Sequence, residues 1–239
     1  MEWKTLEPRL GSWADKIKPF YDRGGFIPIY EYLKKQTSLG AKIAPISMNV
    51  YRAFKETEFS ELKAVIVCQD PYFKFVGEQC VATGVAMDCS ITKKVQPTLK
   101  QFYGGIEREL FKGLCLNYID SYDLDYLSKQ GILLLNAALT VEKDKPDSHG
   151  NLWEEFMIFL LRDVIEPTGV PVLFLGKKAG AYDLLLHNCP TMTVKHPASA
   201  AYTGGEWDSE GGFKWLNKQI WDKFEDSVCW LPGEIEPNF

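Results

Sequence analysis

Four short, uninterrupted apolar runs constrain the fold most: Ala64–Cys68 (AVIVC), Ile132–Leu135 (ILLL), Val170–Leu175 (VPVLFL) and Met192–Val194 (MTV), each bounded by Gly, Pro, Asn or His. A strand with one wet face alternates apolar and polar residues, so runs without a polar gap belong to strands covered on both faces. Helix-like segments separate them: Thr98–Leu110, Phe213–Phe224 and Trp153–Ile165, the last followed by Pro167 and Gly169, which would stop it. Strands alternating with helices predict an α/β fold of three layers, α/β/α, around a central four-stranded, mainly parallel sheet. Ligands of such sheets bind beyond the carboxyl ends of the strands.

The 239 residues read as a single domain with a helical and loop lead-in over 1–60, a core over 61–200, and a C-terminal helix and acidic tail over 201–239. In the lead-in, PFYDRGGFIPIYEYLKK reads as helical and AKIAPISMNVYRAF as a proline-punctuated loop; the closing LPGEIEPNF reads as a loose or docked tail. The net charge of −5 excludes a bulk polycation, so any nucleic-acid contact has to be local. Residues 1–60 carry ten Lys/Arg against seven Asp/Glu, whereas 201–239 carry three against eight. No run approaches the roughly 18 apolar residues of a membrane span, and the charged start MEWKTLEPRLGSWADK is unlike a signal peptide, so a cytoplasmic protein is expected, or one in the nucleoid or nucleus with DNA. Cys68, Cys80, Cys89, Cys115, Cys189 and Cys229 lie at irregular spacings without a C-x-x-C pair, which reads as reduced thiols and no metal.

Polar residues stand where the apolar runs end: Gln69-Asp70-Pro71-Tyr72 after the first, Asn136 after the second, Gly176-Lys177 after the third and His196-Pro197 after the fourth. Singly, each has an ordinary structural reading as a turn, a strand terminator, a helix cap or a half-buried histidine. Together they place a carboxylate, an amide, a close-approaching backbone and an imidazole on one rim.

CQDPY (68–72), QGILLLNAALTV (130–141), DSH (147–149), FLGKKA (174–179) and KHPAS (195–199) resemble, in order, the motifs of family-1 uracil-DNA glycosylases. VYRAFKETEFSELKAVIVCQDPY also resembles the stretch that precedes the family's catalytic loop. The resemblance implies a monofunctional DNA N-glycosylase that flips uracil from DNA and hydrolyses its glycosidic bond, with no metal or organic cofactor and DNA as the partner of a monomer. It implies that Asp70 stabilises the oxocarbenium-like sugar and orients water, and that His196 hydrogen-bonds the departing pyrimidine's O2. Asn136 would read the Watson–Crick edge, Gln69 would help to hold the base, and Tyr72 would stand against C5 and exclude a methyl group. Pro97-Thr98, Gly176-Lys177 and Ala198-Ser199 resemble phosphate-gripping loops, and His149 a further DNA-side residue, with a surface histidine of no role as the other reading.

Four departures bear on substrate. Met87 takes the place of a stacking phenylalanine, and the loop FKFVGEQCVAT between Tyr72 and Gly84 is longer than usual, with Phe73 where a histidine is common. Ala200 stands where the family inserts a leucine wedge, with Tyr202 able to substitute. TGGEWDSEGG brings carboxylates to a loop that is commonly basic. Besides uracil excision, two readings stay open: a related glycosylase for a 5-substituted pyrimidine, such as those of phage DNA, and a non-catalytic DNA-binding or replication-accessory protein.

Overall fold

The computed structural model describes residues 1–112 and 121–233. Cys115 and the last six residues of the acidic tail lie outside the described residues.

The four apolar runs form one sheet: β2 (Ala64–Cys68), β5 (Ile132–Asn136), β7 (Val172–Leu175) and β8 (Thr191–Val194), in the order β5-β2-β7-β8. All three pairings are parallel. Successive side chains of a strand point to opposite faces, and the burial follows that period of two. Val65, Val67, Leu133, Leu135, Val172 and Phe174 enter one core, while Ala64, Ile66, Ile132, Leu134, Leu173 and Leu175 enter the other.

The first core is roofed by the lead-in helices α1 (Trp3–Leu10), α2 (Ala14–Asp22), α3 (Phe26–Ser38) and α4 (Arg52–Glu56), together with α7 (Gly150–Phe159). The second is covered by α5 (Pro97–Leu110), the short α6 (Asp125–Ser128) and α10 (Gly212–Phe224). Fully burying an aliphatic or aromatic side chain is worth roughly 1.5–3 kcal/mol. The continuous apolar runs therefore fix the strands in the middle layer.

Two helical expectations are refined. The segment 19–35 is not one helix: it breaks between α2 and α3, where Gly24 has φ 78° and a Cβ on Gly25 would lie 2.5 Å from the Phe20 ring. That close approach lets Phe20 and Phe26 meet edge to face, 4.9 Å between ring centroids. The expected helix Trp153–Ile165 is α7 continued by π-helical turns over Leu160–Ile165, and Gly169 at φ 62° closes the following 3-10 turn.

The proline-punctuated loop carries β1 (Ile43–Ala44), which pairs antiparallel with β6 (Val141–Glu142). The long loop after Tyr72 folds into a hairpin, β3 (Phe75–Val76) and β4 (Gln79–Cys80). A small third core of Ala44, Cys80, Ala82 and Val141, with Tyr72, Phe73 and Phe75 against it, fixes the hairpin to the β1–β6 pair.

Candidate active site

The chain crosses from β2 to β5 on one side and then back past β2 to β7 on the other, so the strand order reverses there and a crevice opens beyond the carboxyl ends of these strands. A cavity of about 300 Å³ lies there. Gln69, Asp70, Tyr72, Met87, Asn136 and His196 all line it, together with Thr98, Ala198 and Tyr202. Its volume is at the lower end of small-ligand sites, which run from roughly 300 to 1,000 Å³.

Backbone bonds past the strand ends set the loops. The amides of Ala137 and Ala138 donate to the carbonyls of Cys68 and Gln69 at 2.8 and 3.0 Å, extending the β2–β5 ladder into the Gln69–Tyr72 turn. Ala86 N–H donates to Leu134 O at 3.1 Å, which brings Met87, itself at φ 62°, to the same opening. Gly176 at φ 95° turns the chain from β7 into α8 (Lys177–Gly180), and its N–H donates to Val194 O at 2.7 Å. A Cβ there would stand 3.0 Å from His196 Cβ, so a glycine is required for both the turn and the approach.

Asp70 is held by one oxygen. Its Oδ2 accepts from Asp147 N–H at 2.8 Å and from Gln69 Nε2 at 3.0 Å, while Oδ1 is buried and meets no partner among the described residues. Asn136 is 4% exposed, and its Oδ1 is likewise buried without a partner. Unsatisfied buried acceptors are costly, so two of them on one cavity call for donors from a ligand or water.

His196 Nδ1 accepts from Ala198 N–H at 3.1 Å, so in the neutral ring the proton sits on Nε2. Burial lowers its pKa from 6.5 to about 4. At neutral pH the site therefore offers an uncharged imidazole donor. Burial also raises the Asp70 carboxyl above its ordinary value, and the Asp147 charge adds to this; the Asp147 N–H and Lys178 oppose it. A fixed carboxylate on one wall and an N–H donor on another suit a reaction in which positive and negative charge separate.

Of the expected DNA-side residues, Pro97 and Thr98 open α5, Lys177 is exposed at the start of α8, and Ala198 and Ser199 begin α9 (Ala198–Thr203). Ser199 Oγ donates to His196 O at 2.7 Å, tying that loop to the imidazole.

Two expectations are corrected. His149 is not a surface residue: it is 1% exposed, its Nδ1 lies 2.9 Å from Thr140 Oγ1, and it meets the Tyr32 ring edge to face, so its side chain is not offered to a ligand as an exposed DNA contact would be. Trp153 Nε1 donates to the same hydroxyl at 2.7 Å, so the histidine belongs to a buried polar knot under α7. Ala200 is 8% exposed and packs in the second core, so it is not placed as a wedge, whereas Tyr202 is 78% exposed at the cavity mouth.

The acidic loop is partly neutralised by its own fold. Trp207 is buried against Phe102 and Phe213, Glu210 accepts from Lys195 N–H at 3.0 Å and pairs with its Nζ at 3.1 Å, and Glu206 lies 3.6 Å from Arg108. The carboxylates of Asp88, Asp123 and Asp125 converge within 4.8 Å. Arg52 supplies their countercharge, reaching Asp88 at 3.2 Å and Asp125 at 2.7 and 2.8 Å.

Sequence reasoning missed Asp147 and Lys178. Asp147 stands in the DSH motif, but its contact with Asp70 runs through its backbone N–H, for which a side chain carries no signal.

No family model matches the chain. Its fold is like that in the crystal structure of mimivirus uracil-DNA glycosylase, with a TM-score of 0.81 over 96% of this chain and 89% of that one at 18% identity. Uracil-DNA glycosylase of Francisella tularensis subsp. holarctica is 32% identical over 223 residues, 92% of this chain and 98% of that protein. The Coxiella burnetii protein of the same name is 31% identical over 198 residues, 82% of this chain and 80% of its own. With the strand-end residues gathered on one cavity and this similarity running through nearly the whole length, the chain belongs to the uracil-DNA glycosylase family.

Proposed function

We propose that this protein excises uracil from DNA, hydrolysing the N-glycosidic bond to leave an abasic site. The observation that carries the reading is the pair of buried acceptors without a partner among the described residues, Asp70 Oδ1 and Asn136 Oδ1, on one cavity of about 300 Å³ that His196 also lines.

The extruded base enters between Met87 and the strand ends. Asn136 accepts from N3–H through Oδ1 and donates to O4 through its amide nitrogen, which selects uracil over cytosine. Tyr72 borders the cavity and stands against C5, excluding thymine; its presence on the wall gives no support to a preference for 5-substituted pyrimidines.

As the bond lengthens, negative charge grows on the base and the His196 Nε2–H donates to O2 without having to give up a proton. Asp70 stays charged, stabilises the cationic sugar and aligns the attacking water through Oδ1. Flipping costs a few kcal/mol, offset by phosphate contacts at Pro97-Thr98, Gly176-Lys177 and Ala198-Ser199, while Tyr202 fills the vacated stack.

The test is base release from oligonucleotides that carry one uracil, cytosine, thymine or 5-hydroxymethyluracil. The expected result is release of uracil faster than of every other base. Faster release of a modified base, or stable binding without any release, overturns the proposal.

A further inference from the structure

Two charged residues beside Asp70 have no role in the scheme above. We propose that Asp147 and Lys178 are positioning residues for Asp70: their ion pair pins the turn whose backbone N–H holds Asp70 Oδ2, leaving Oδ1 for sugar and water. The inference rests on the proposed role of Asp70.

The geometry is a closed chain of contacts. Asp147 N–H and Gln69 Nε2 both donate to Asp70 Oδ2, at 2.8 and 3.0 Å. Gln69 Nε2 also lies 3.2 Å from Asp147 Oδ1, and Lys178 Nζ pairs with Asp147 Oδ2. Both oxygens of Asp147 are thus anchored, one to the turn after β2 and one to α8 after β7.

Asp147 sits at φ 65°, a left-handed conformation that aspartate tolerates better than most residues with a Cβ, but one that its anchored side chain helps to hold. With its side chain released, the backbone has reason to relax and carry the N–H away from Asp70. The ion pair is half exposed, at 57% for Lys178 and 48% for Asp147, and such pairs add little to overall stability. Its consequence lies in where it holds Asp70.

Charge adds a second effect. The charged groups facing Asp70 are Asp147 from the turn before α7 and Lys178 from α8; Glu154 of α7 and Tyr182 border the neighbouring cleft, and His196 across the cavity is neutral. The Asp147 carboxylate disfavours a charged Asp70, and Lys178 offsets it.

The experiment is single-turnover base release at saturating enzyme from a uracil-containing single strand, with affinity for the strand measured separately. Lys178→Met and Asp147→Asn should each lower the plateau rate on the order of ten-fold, with affinity kept within about two-fold. The double variant should be no slower than the slower single one, and Lys178→Arg should recover the rate. The acid limb should move to higher pH in Lys178→Met and to lower pH in Asp147→Asn, because one loses a cation beside Asp70 and the other an anion.

An unchanged rate with weakened DNA binding would make Lys178 a phosphate contact and overturn the inference. Additive rate losses with no movement of the acid limb would do the same. A wild-type protein that releases no uracil would defeat the functional reading itself, and this inference with it.

Discussion

Gly176→Ala probes the link between the sheet and the chemistry. Gly176 has φ 95° and ψ 158°, a backbone region essentially confined to glycine that costs an alanine about 1–3 kcal/mol. The new Cβ would lie 3.0 Å from His196 Cβ, whereas carbon atoms prefer roughly 3.5–4.0 Å, so the imidazole has to retreat by about half an ångström. A catalytic group misplaced by ~1 Å can cost a hundred-fold in rate, so half that displacement corresponds to about ten-fold, or ~1.4 kcal/mol of barrier. For a chain of 239 residues a stability loss of this size lowers the melting temperature by roughly 2–12 °C, leaving the protein folded at 25 °C. The assay is single-turnover uracil release at saturating enzyme, beside a thermal melt. A lowered melting temperature with the full wild-type rate would refute the argument that His196 depends on the missing side chain.

Tyr202→Ala should slow uracil release from duplex more than from single strands, because only the duplex leaves a gap to fill; equal slowing on both contradicts the wedge. Ala200→Leu, by contrast, should cost about 1–3 kcal/mol in a denaturant titration by overpacking the second core, and no loss would put Ala200 outside it. Arg52→Met leaves the fully buried Asp88 carboxylate without its guanidinium and should destabilise the fold by roughly 3–5 kcal/mol by the same measurement; a change below about 1 kcal/mol would show that the cluster needs no cation. His196, with its folded pKa at about 4 against an ordinary 6.5, takes up its proton more readily in the unfolded chain. Its contribution to stability is therefore complete above pH 6.5 and is lost as the pH falls toward 4, and imidazole NMR shifts should show no His196 titration near 6.5.

The sheet was legible because burial on both faces writes itself as apolar continuity in β2, β5 and β7; the fourth run became the parallel edge strand β8, which is not covered on both faces, since Thr193 is exposed and only Val194 is buried. Asp70, Asn136, Gly176 and His196 were legible because each follows directly on such a run, and a parallel sheet brings those ends together. What stayed hidden depends on partners remote in sequence. His149 looks like a surface residue in a polar turn until Tyr32 and Trp153 close over it. Ala200 follows Ala198 and Ser199 in one run of small residues, yet the turn of α9 directs it into the core. The Arg52 cluster joins residues from α4, the Met87 loop and α6, and only the folded chain shows that the cation and carboxylates meet.

The most direct test of the account compares uracil release by the wild type and by Asp70→Asn under single-turnover conditions, with DNA affinity measured for both. The account predicts rapid release by the wild type, a fall of at least about a hundred-fold in the variant, and affinity little changed, because the carboxylate acts on the charged transition state. Equal rates in the two proteins would contradict it.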